Sequence, residues 1–326
     1  MLYEVLVKSI PEWTVLLTGA CLGFFLTLIL LRKPFGFLPV DGGKRVETPD
    51  GKIIVINDKS NGKVTGVGLV FVLIFLLMGF LFVPVSVEML IYLGLMFLMM
   101  LTGYLDDASA NPWGELTKGI LDLMLAIGAV VTFLCYHSPD VILFGNSIHF
   151  PVVVYGILGV ALVWASINVT NCSDGVDGLC GSVSIITFVA YFILFRETTM
   201  SFTWLGIILS AILLGYLFYN WNPSKVLMGD AGSRTIGFLL AILAMESRHP
   251  FIFLLMSLVF IFDGGMGLIK VSLIRFFKLN LFKNVTFPFH DHMRKKMGIS
   301  IKKIVVIFDI IQVVACGIAM LIVELG

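Results

Sequence analysis

The sequence predicts an all-α polytopic membrane protein of about ten transmembrane helices, with small cytoplasmic and periplasmic β-hairpins in its loops. Three observations carry this. Of 326 residues, 59% are hydrophobic and only 13% are charged, where a soluble domain would carry roughly a quarter charged. Apolar runs of about 18 residues or more, enough to cross a bilayer, recur along the whole length. Lys and Arg gather in two segments and are scarce in the others. The first apolar run is long and no A-x-A-like site follows it, so a cleaved signal peptide is not expected.

The spans fall at 12–31, 65–84, 88–105, 119–137, 152–168, 182–196, 203–220, 234–248, 250–275 and 304–323. Between the first two, segment 41–64 alternates polar and β-branched residues around Pro49-Asp50-Gly51 and reads as a hairpin. It leads into "KVTGVG" (63–68), where Lys63 and Thr65 beside a helix N-terminus suit a phosphate. Gly66 and Gly68 serve ordinary helix packing equally well. The third span ends in "LDD" (105–107), and Lys118 follows in the next loop. Segment 138–151 reads as a second hairpin with Gly145-Asn146 at its turn, and His137 and His149 near it read as interfacial side chains.

The fifth span runs into "NVTNCSDGVDGL" (168–179). Its three-residue spacing puts Asn168, Asn171, Asp174 and Asp177 on one helical stripe, until Gly175 and Gly178 unwind the chain. Unwinding there lets the backbone approach a nucleotide or metal closely. The ninth span carries "FDGGMGLIK" (262–270). Its glycines predict either a bend, opening a groove for a lipid tail, or close helix packing. Asp263 would join the polar face from within that span. Cys21, Cys135 and Cys316 read as small hydrophobes, and Cys172 and Cys180 lack zinc-site spacing. Residues 1–326 form a single domain, without internal repeats.

An even number of spans puts both termini on one side. The segments 32–64 and 276–303, on the other side, hold most of the Lys and Arg. The termini are therefore expected outside and the basic loops in the cytoplasm. That topology sends every polar motif to the cytoplasmic face, including "GDAGS" (229–233), with Asn220 at the end of the span before it, and "PFHDH" (288–292).

Acids at the ends of membrane spans are functional candidates by default. Asp106, Asp107, Asp174, Asp177, Asp230 and Asp263 suit two chemistries: Mg²⁺ on a pyrophosphate, or ion transport. Lys118, Lys225, His290, His292 and the Arg294–Lys296 run favour the polyphosphate, whose oxygens need positive donors. A transporter would carry inverted repeats and acids near the midplane. The spacing of the acids does not fit an EF-hand, and no nucleic-acid partner is expected.

Taken together, "LDD", "NVTNCSDGVDGL", "GDAGS" and "PFHDH" resemble the polyprenyl-phosphate N-acetylhexosamine-1-phosphate transferase superfamily. Within it the sequence is most similar to the phospho-N-acetylmuramoyl-pentapeptide transferases of peptidoglycan synthesis. The resemblance covers nearly the whole chain and implies a bacterial inner-membrane enzyme with its active site facing the cytoplasm. The implied substrates are undecaprenyl phosphate and UDP-MurNAc-pentapeptide, the cofactor is Mg²⁺, and UMP is the leaving group. By motif, Asp106 and Asp107 match the adjacent acidic pair, Asp230 the acid associated with magnesium, and His290 the first motif histidine. Asn171, Asp174 and Asp177 match residues lining the nucleotide and catalytic cleft. Asn168, Asn220, Lys118, His292, Lys63 and Thr65 are further substrate-binding candidates. Leu227 joins them at a position where the family often has an aromatic. Further departures are Asp291 between the histidines and Ala110 where a Lys is common. The expected mechanism is direct in-line displacement, against a covalent aspartyl alternative. The alternative donor is UDP-GlcNAc, and a homodimer is compatible with the resemblance.

Overall fold

The computed structural model describes residues 2–33, 35–41, 44–47, 53–56, 62–109, 111, 113–279 and 281–325. Most of the described residues are helical. A short α1 (Leu2–Leu6) precedes α2 (Glu12–Leu31). Strands β1 (Lys44–Glu47) and β2 (Ile53–Ile56) pair antiparallel, Lys44 opposite Ile56, as expected of the first hairpin; its turn at Pro49-Asp50-Gly51 lies outside the described residues. There follow α3 (Gly68–Phe82), α4 (Val87–Asp107) and α5 (Glu115–Tyr136). A second hairpin, β3 (Asp140–Leu143) with β4 (Asn146–His149), leads to α6 (Val152–Ser173), α7 (Leu179–Phe195), α8 (Met200–Asn220) and α9 (Gly229–Glu246).

The hairpin turn lies one residue earlier than expected. Phe144 and Gly145 are its central residues, at φ 47° and 73°, and Asn146 begins β4. A tight two-residue hairpin turn wants positive φ at both centres, and Asn146 Nδ2 reinforces it by donating to the Phe144 carbonyl at 3.1 Å.

Among the described residues six helices, α2, α4, α5, α6, α8 and α14 (Ile301–Leu325), are long and apolar enough to cross a membrane. A seventh candidate is the bent pair Pro250–Met256 and Leu258–Arg275. The remaining three expected spans correspond to α3, α7 and α9, of 15, 17 and 18 residues. The arrangement is that of a multi-pass membrane protein. At its centre stands α9, in which every residue from Ala231 to Glu246 is buried. A helix covered all round belongs in the interior of a bundle, and α3, α4 and α6 enclose this one.

The bent pair corrects the expected cause of the bend. It comprises α10 (Phe253–Met256), α11 (Leu258–Phe260), a π-helical turn at Ile261–Gly265 and α12 (Met266–Phe277). The 72° break falls at Ser257, before the glycines. Gln312 of α14 receives the freed backbone groups: its Nε2 donates to the Met256 carbonyl at 2.6 Å and its Oε1 accepts from Val259 N at 3.1 Å. Broken helices survive in lipid only with such partners. The glycines serve packing instead, since a Cβ on Gly264 would meet the Val169 carbonyl oxygen at 2.5 Å. After α12, α13 (Phe289–Lys295) carries the histidine motif to the start of α14.

Candidate active site

Glycines bring three helix ends together. A Cβ on Gly68 would lie 2.2 Å from Gly232 N, and one on Gly103 would lie 2.5 Å from Ala231 N. The starts of α3 and α9 and the end of α4 therefore touch backbone to backbone. Gly229, at φ 66°, turns the chain into α9 where any Cβ would strike Asp107 Oδ2. That oxygen accepts from Asp230 N at 2.9 Å and so caps α9 from another helix.

Capping exposes Asp230 to partners from two more helices. Asn171 Nδ2 of α6 donates to Asp230 Oδ1 at 2.8 Å and to Ser233 Oγ at 3.0 Å. Lys118 Nζ of α5 bridges Asp106 Oδ2 at 2.5 Å and Asp230 Oδ2 at 3.4 Å. Asp106 is buried and also accepts from Trp113 N at 2.6 Å, whereas Asp107 is half-buried. One helical turn deeper, Asp122 and Arg234 form a buried ion pair between the same two helices. Asp106, Asp107, Lys118, Asn171 and Asp230 are thus one network.

Beside it lies a cleft of about 410 Å³. The helix stripe of α6 ends at Ser173, and residues 174–178 form the expected unwound turn. Asp174 joins network to cleft, accepting from Gly229 N. Burial first, then the charges of Asp230, Asp107 and Asp177, push its carboxyl well above the usual range. Asp177 goes the other way. Burial opposes its charge, but the Ser224 N–H at 3.0 Å, the Ser224 hydroxyl at 2.7 Å and Asn222 Nδ2 at 2.9 Å outweigh it and hold the carboxyl below the usual range. Lys63 Nζ stands 3.7 Å from the same carboxylate and donates to Ser224 Oγ at 2.7 Å.

On the far wall, His290 is fixed twice by Asp263. Its backbone N–H donates to Asp263 Oδ1 and its Nδ1 meets Asp263 Oδ2, both at 2.7 Å. Asp263 is fully buried, which explains an acid placed inside the ninth span. The free edge of the ring reaches the turn: a Cβ on Gly175 would lie 2.5 Å from His290 Nε2. Asp291, the departure between the histidines, is half-buried and held as a carboxylate: burial opposes its charge, but Lys295, His290 and Arg294 lower its pKa below the usual range.

Several expected site residues have other tasks. Asn168 Nδ2 donates to the Trp164 carbonyl at 2.8 Å, one turn back in its own helix. Asn220 borders the cleft, but its amide is spent on Gly178 N at 2.8 Å and the Val226 carbonyl at 2.9 Å. His292 stacks on Phe289 and accepts from Thr286 N at 3.2 Å, outside the cleft lining. Thr65 N donates to the Pro39 carbonyl, also outside it. The start of α3 offers no open anion site, because Val67 N and Gly68 N donate to the carbonyls of Leu227 and Met228. Leu227 does line the cleft. Ala110 lies outside the described residues. Sequence reasoning missed Asn222 and Ser224, which clamp Asp177, and Arg234. The "NWNPSK" stretch (220–225) was the only signal for the first two, and Arg234 directly follows "GDAGS".

No three of the acids at this end bring ligand atoms within 4.8 Å of one another among the described residues. A cation here would draw on one or two carboxylates and on substrate oxygens, the usual habit of Mg²⁺.

Residues 89–248 match the glycosyl transferase family 4 profile. The phospho-N-acetylmuramoyl-pentapeptide-transferase of Treponema pallidum (strain Nichols) is 35% identical over 312 residues, covering 89% of this chain and 84% of that protein. The protein of the same name from Thermotoga maritima is 29% identical, covering 76% and 82%. That from Latilactobacillus sakei is 25% identical, covering 94% and 98%.

Proposed function

The chain belongs to the phospho-N-acetylmuramoyl-pentapeptide-transferase family, within glycosyl transferase family 4, and from that premise we propose how its cleft carries out the transfer. The reaction is transfer of phospho-N-acetylmuramoyl-pentapeptide in peptidoglycan synthesis. We take UDP-MurNAc-pentapeptide as donor, undecaprenyl phosphate as acceptor and UMP as the leaving group. The observation that carries this reading is the convergence of α4, α5, α6 and α9 on Asp230, beside a polar cleft that also presents His290.

Mg²⁺ fits this end of the bundle. Asp106, Asp107 and Asp230 meet one cation, Lys118, in the network, which leaves an excess of negative charge for a dication to balance. Asp230, 20% exposed, is the residue we assign to hold the ion, with substrate phosphates completing the shell. When bound, Mg²⁺ supplies positive charge that screens two approaching phosphates and steadies the leaving group.

The chain's own residues supply positioning. Lys118 fixes Asp106 and Asp230 relative to one another and adds a cation for phosphate oxygens. Asp106 is buried against Lys118, so we assign orientation of the lipid phosphate to the more exposed Asp107. A phosphomonoester is largely dianionic near neutral pH, so it needs little help from a base, which favours direct in-line displacement over a covalent aspartyl route. Asp263 orients His290 so that Nε2 faces the Asp174–Gly178 turn, where it can donate to a substrate oxygen.

The acceptor would enter from the bilayer. An apolar groove lined by Leu258, Val259, Phe262, Phe308 and Ile311 runs beside the 72° break, suited to a prenyl tail. The Lys and Arg excess of 32–64 and 276–303 supports a cytoplasmic cleft, outside termini and, with α3, α7 and α9 counted as spans, ten crossings of the bacterial inner membrane.

The test is UMP release by the purified protein in detergent, with undecaprenyl phosphate and Mg²⁺, comparing UDP-MurNAc-pentapeptide with UDP-GlcNAc. Turnover of the muramyl donor alone supports the reading, and turnover of UDP-GlcNAc alone overturns the donor assignment. Trapping a phosphorylated enzyme in a single turnover would sink direct displacement. Cross-linking in membranes tests the homodimer that the family resemblance allows.

A further inference from the structure

Three of the four helices that meet at Asp230 meet again at the far end of the bundle. Glu88 lies in the first turn of α4, His137 directly follows α5, and Glu246 is the last residue of α9. Glu88 and Asp107 are 19 residues apart on one helix, roughly 28 Å at 1.5 Å per residue. This second cluster is therefore separate from the cleft.

Its atoms are placed as ligands. His137 Nε2 lies 2.9 Å from Glu88 Oε1 and 3.4 Å from Glu246 Oε2, and one donor atom from each residue falls within 4.8 Å of the others. Metal–ligand bonds of about 2.0–2.2 Å would set neighbouring donors about 2.9–3.6 Å apart. Tyr92 OH donates to Glu246 Oε1 at 3.1 Å, which fixes the carboxylate with its other oxygen toward His137. A second-layer hydrogen bond of this kind is usual at metal sites.

Two further observations point to a cation site. Glu88 Oε1 and His137 Nε2 are buried, face each other and make no hydrogen bond of good geometry. Glu88 and Glu246 are 7% and 6% exposed, and Glu246 sits at a helix C-terminus, where the helix dipole opposes a negative charge. With both carboxyls ionised, a protonated His137 would leave one buried negative charge unbalanced, and such a charge is costly. A dication beside a neutral imidazole balances both. Arg248, two residues beyond Glu246, is turned to Ser138 at 3.1 Å and Asp140 at 3.8 Å. His137 is 32% exposed and so leaves an entry path.

We propose that Glu88, His137 and Glu246 bind one divalent transition-metal ion and clamp the ends of α4, α5 and α9. One imidazole nitrogen with two carboxylate oxygens suits zinc better than Mg²⁺ or Ca²⁺, which prefer all-oxygen shells.

The test uses the full chain in detergent, stripped with a chelator and titrated with Co²⁺. The expected result is a visible d–d absorption band saturating at one equivalent, displaced by Zn²⁺, with a rise in melting temperature. His137→Ala should abolish the band, and Tyr92→Phe, which keeps all three ligands, should weaken Co²⁺ binding about tenfold. Asp230→Asn should leave the band intact. Absence of a band in the wild-type protein overturns the proposal. So does a band that survives His137→Ala, or one that is lost in Asp230→Asn.

Discussion

Helix α9 carries an acid at each end, and the two ends treat it differently. Asp230 occupies the first turn, where backbone N–H groups and the helix dipole favour a negative charge. Asn171 and Lys118 hold its oxygens, and the polar cleft lies alongside. Glu246 closes the last turn against the dipole, buried with Glu88 around one histidine. Helices α4, α5 and α9 contribute to both clusters, and α6 only to the first. The difference teaches that burying acids at a helix end does not by itself make a reaction centre; access to substrate and a supply of donors do.

Exchanging amides for the acids at the two ends tests that contrast most severely. Asp230→Asn should lower the rate of UMP release by about 10²–10³-fold, the scale of losing one transition-state charge contact, while the melting temperature stays near wild type. Glu246→Gln should do the reverse: turnover is kept and melting shifts. Equal losses of turnover at both ends would erase the distinction.

A smaller effect is expected within the cleft wall. Asp263→Asn leaves His290 in place but removes the partner that orients its ring, and should lower turnover about 100-fold. The double variant with His290→Ala should be no worse than His290→Ala alone, because the two act as a unit. Additive losses in that cycle would mean that Asp263 does not work through the histidine. Gly175→Ala tests the same ring from the opposite side. Its methyl would sit 2.5 Å from His290 Nε2, and the displacement should cost about tenfold in turnover, since sub-ångström misplacement at a positioned group is costly. Unchanged kinetics would show that the ring yields freely.

Much of this was legible in the sequence because it is written in local pattern. Apolar length marked the helices, and Gly175 and Gly178 marked the turn that ends the α6 stripe. Four motifs marked the residues that converge on Asp230 and the cleft. What stayed hidden depends on contacts between distant segments. Nothing near Asp263 announces His290, 27 residues away, and nothing near Ser257 announces that Gln312 will satisfy a broken helix. Asn168 and Asn171 share a stripe, yet one turns back on its own backbone and the other reaches Asp230. His137 read as an interfacial residue because its two carboxylates come from 49 positions before it and 109 after.

The smallest expected effect lies on the clamp around Asp177, and its sign follows from the direction of the pKa shift. The folded carboxyl titrates below its unfolded value of about 3.9. The charged form therefore stabilises the fold above that value, and the contribution is lost as pH falls through the depressed folded pKa. Asp177→Asn keeps one oxygen acceptor but no charge. The gap in melting temperature between wild type and this variant should be constant above about pH 5 and close progressively below about pH 4. Added salt should narrow the gap only slightly, because the partners that count most are the Ser224 N–H, the Ser224 hydroxyl and Asn222, with Lys63 more distant at 3.7 Å. A gap that vanishes in salt at neutral pH would instead assign the stabilisation to Lys63. The turn would then be held by an ion pair that a substrate phosphate could compete away, and the cleft end would resemble the far end more closely than its hydrogen bonds imply.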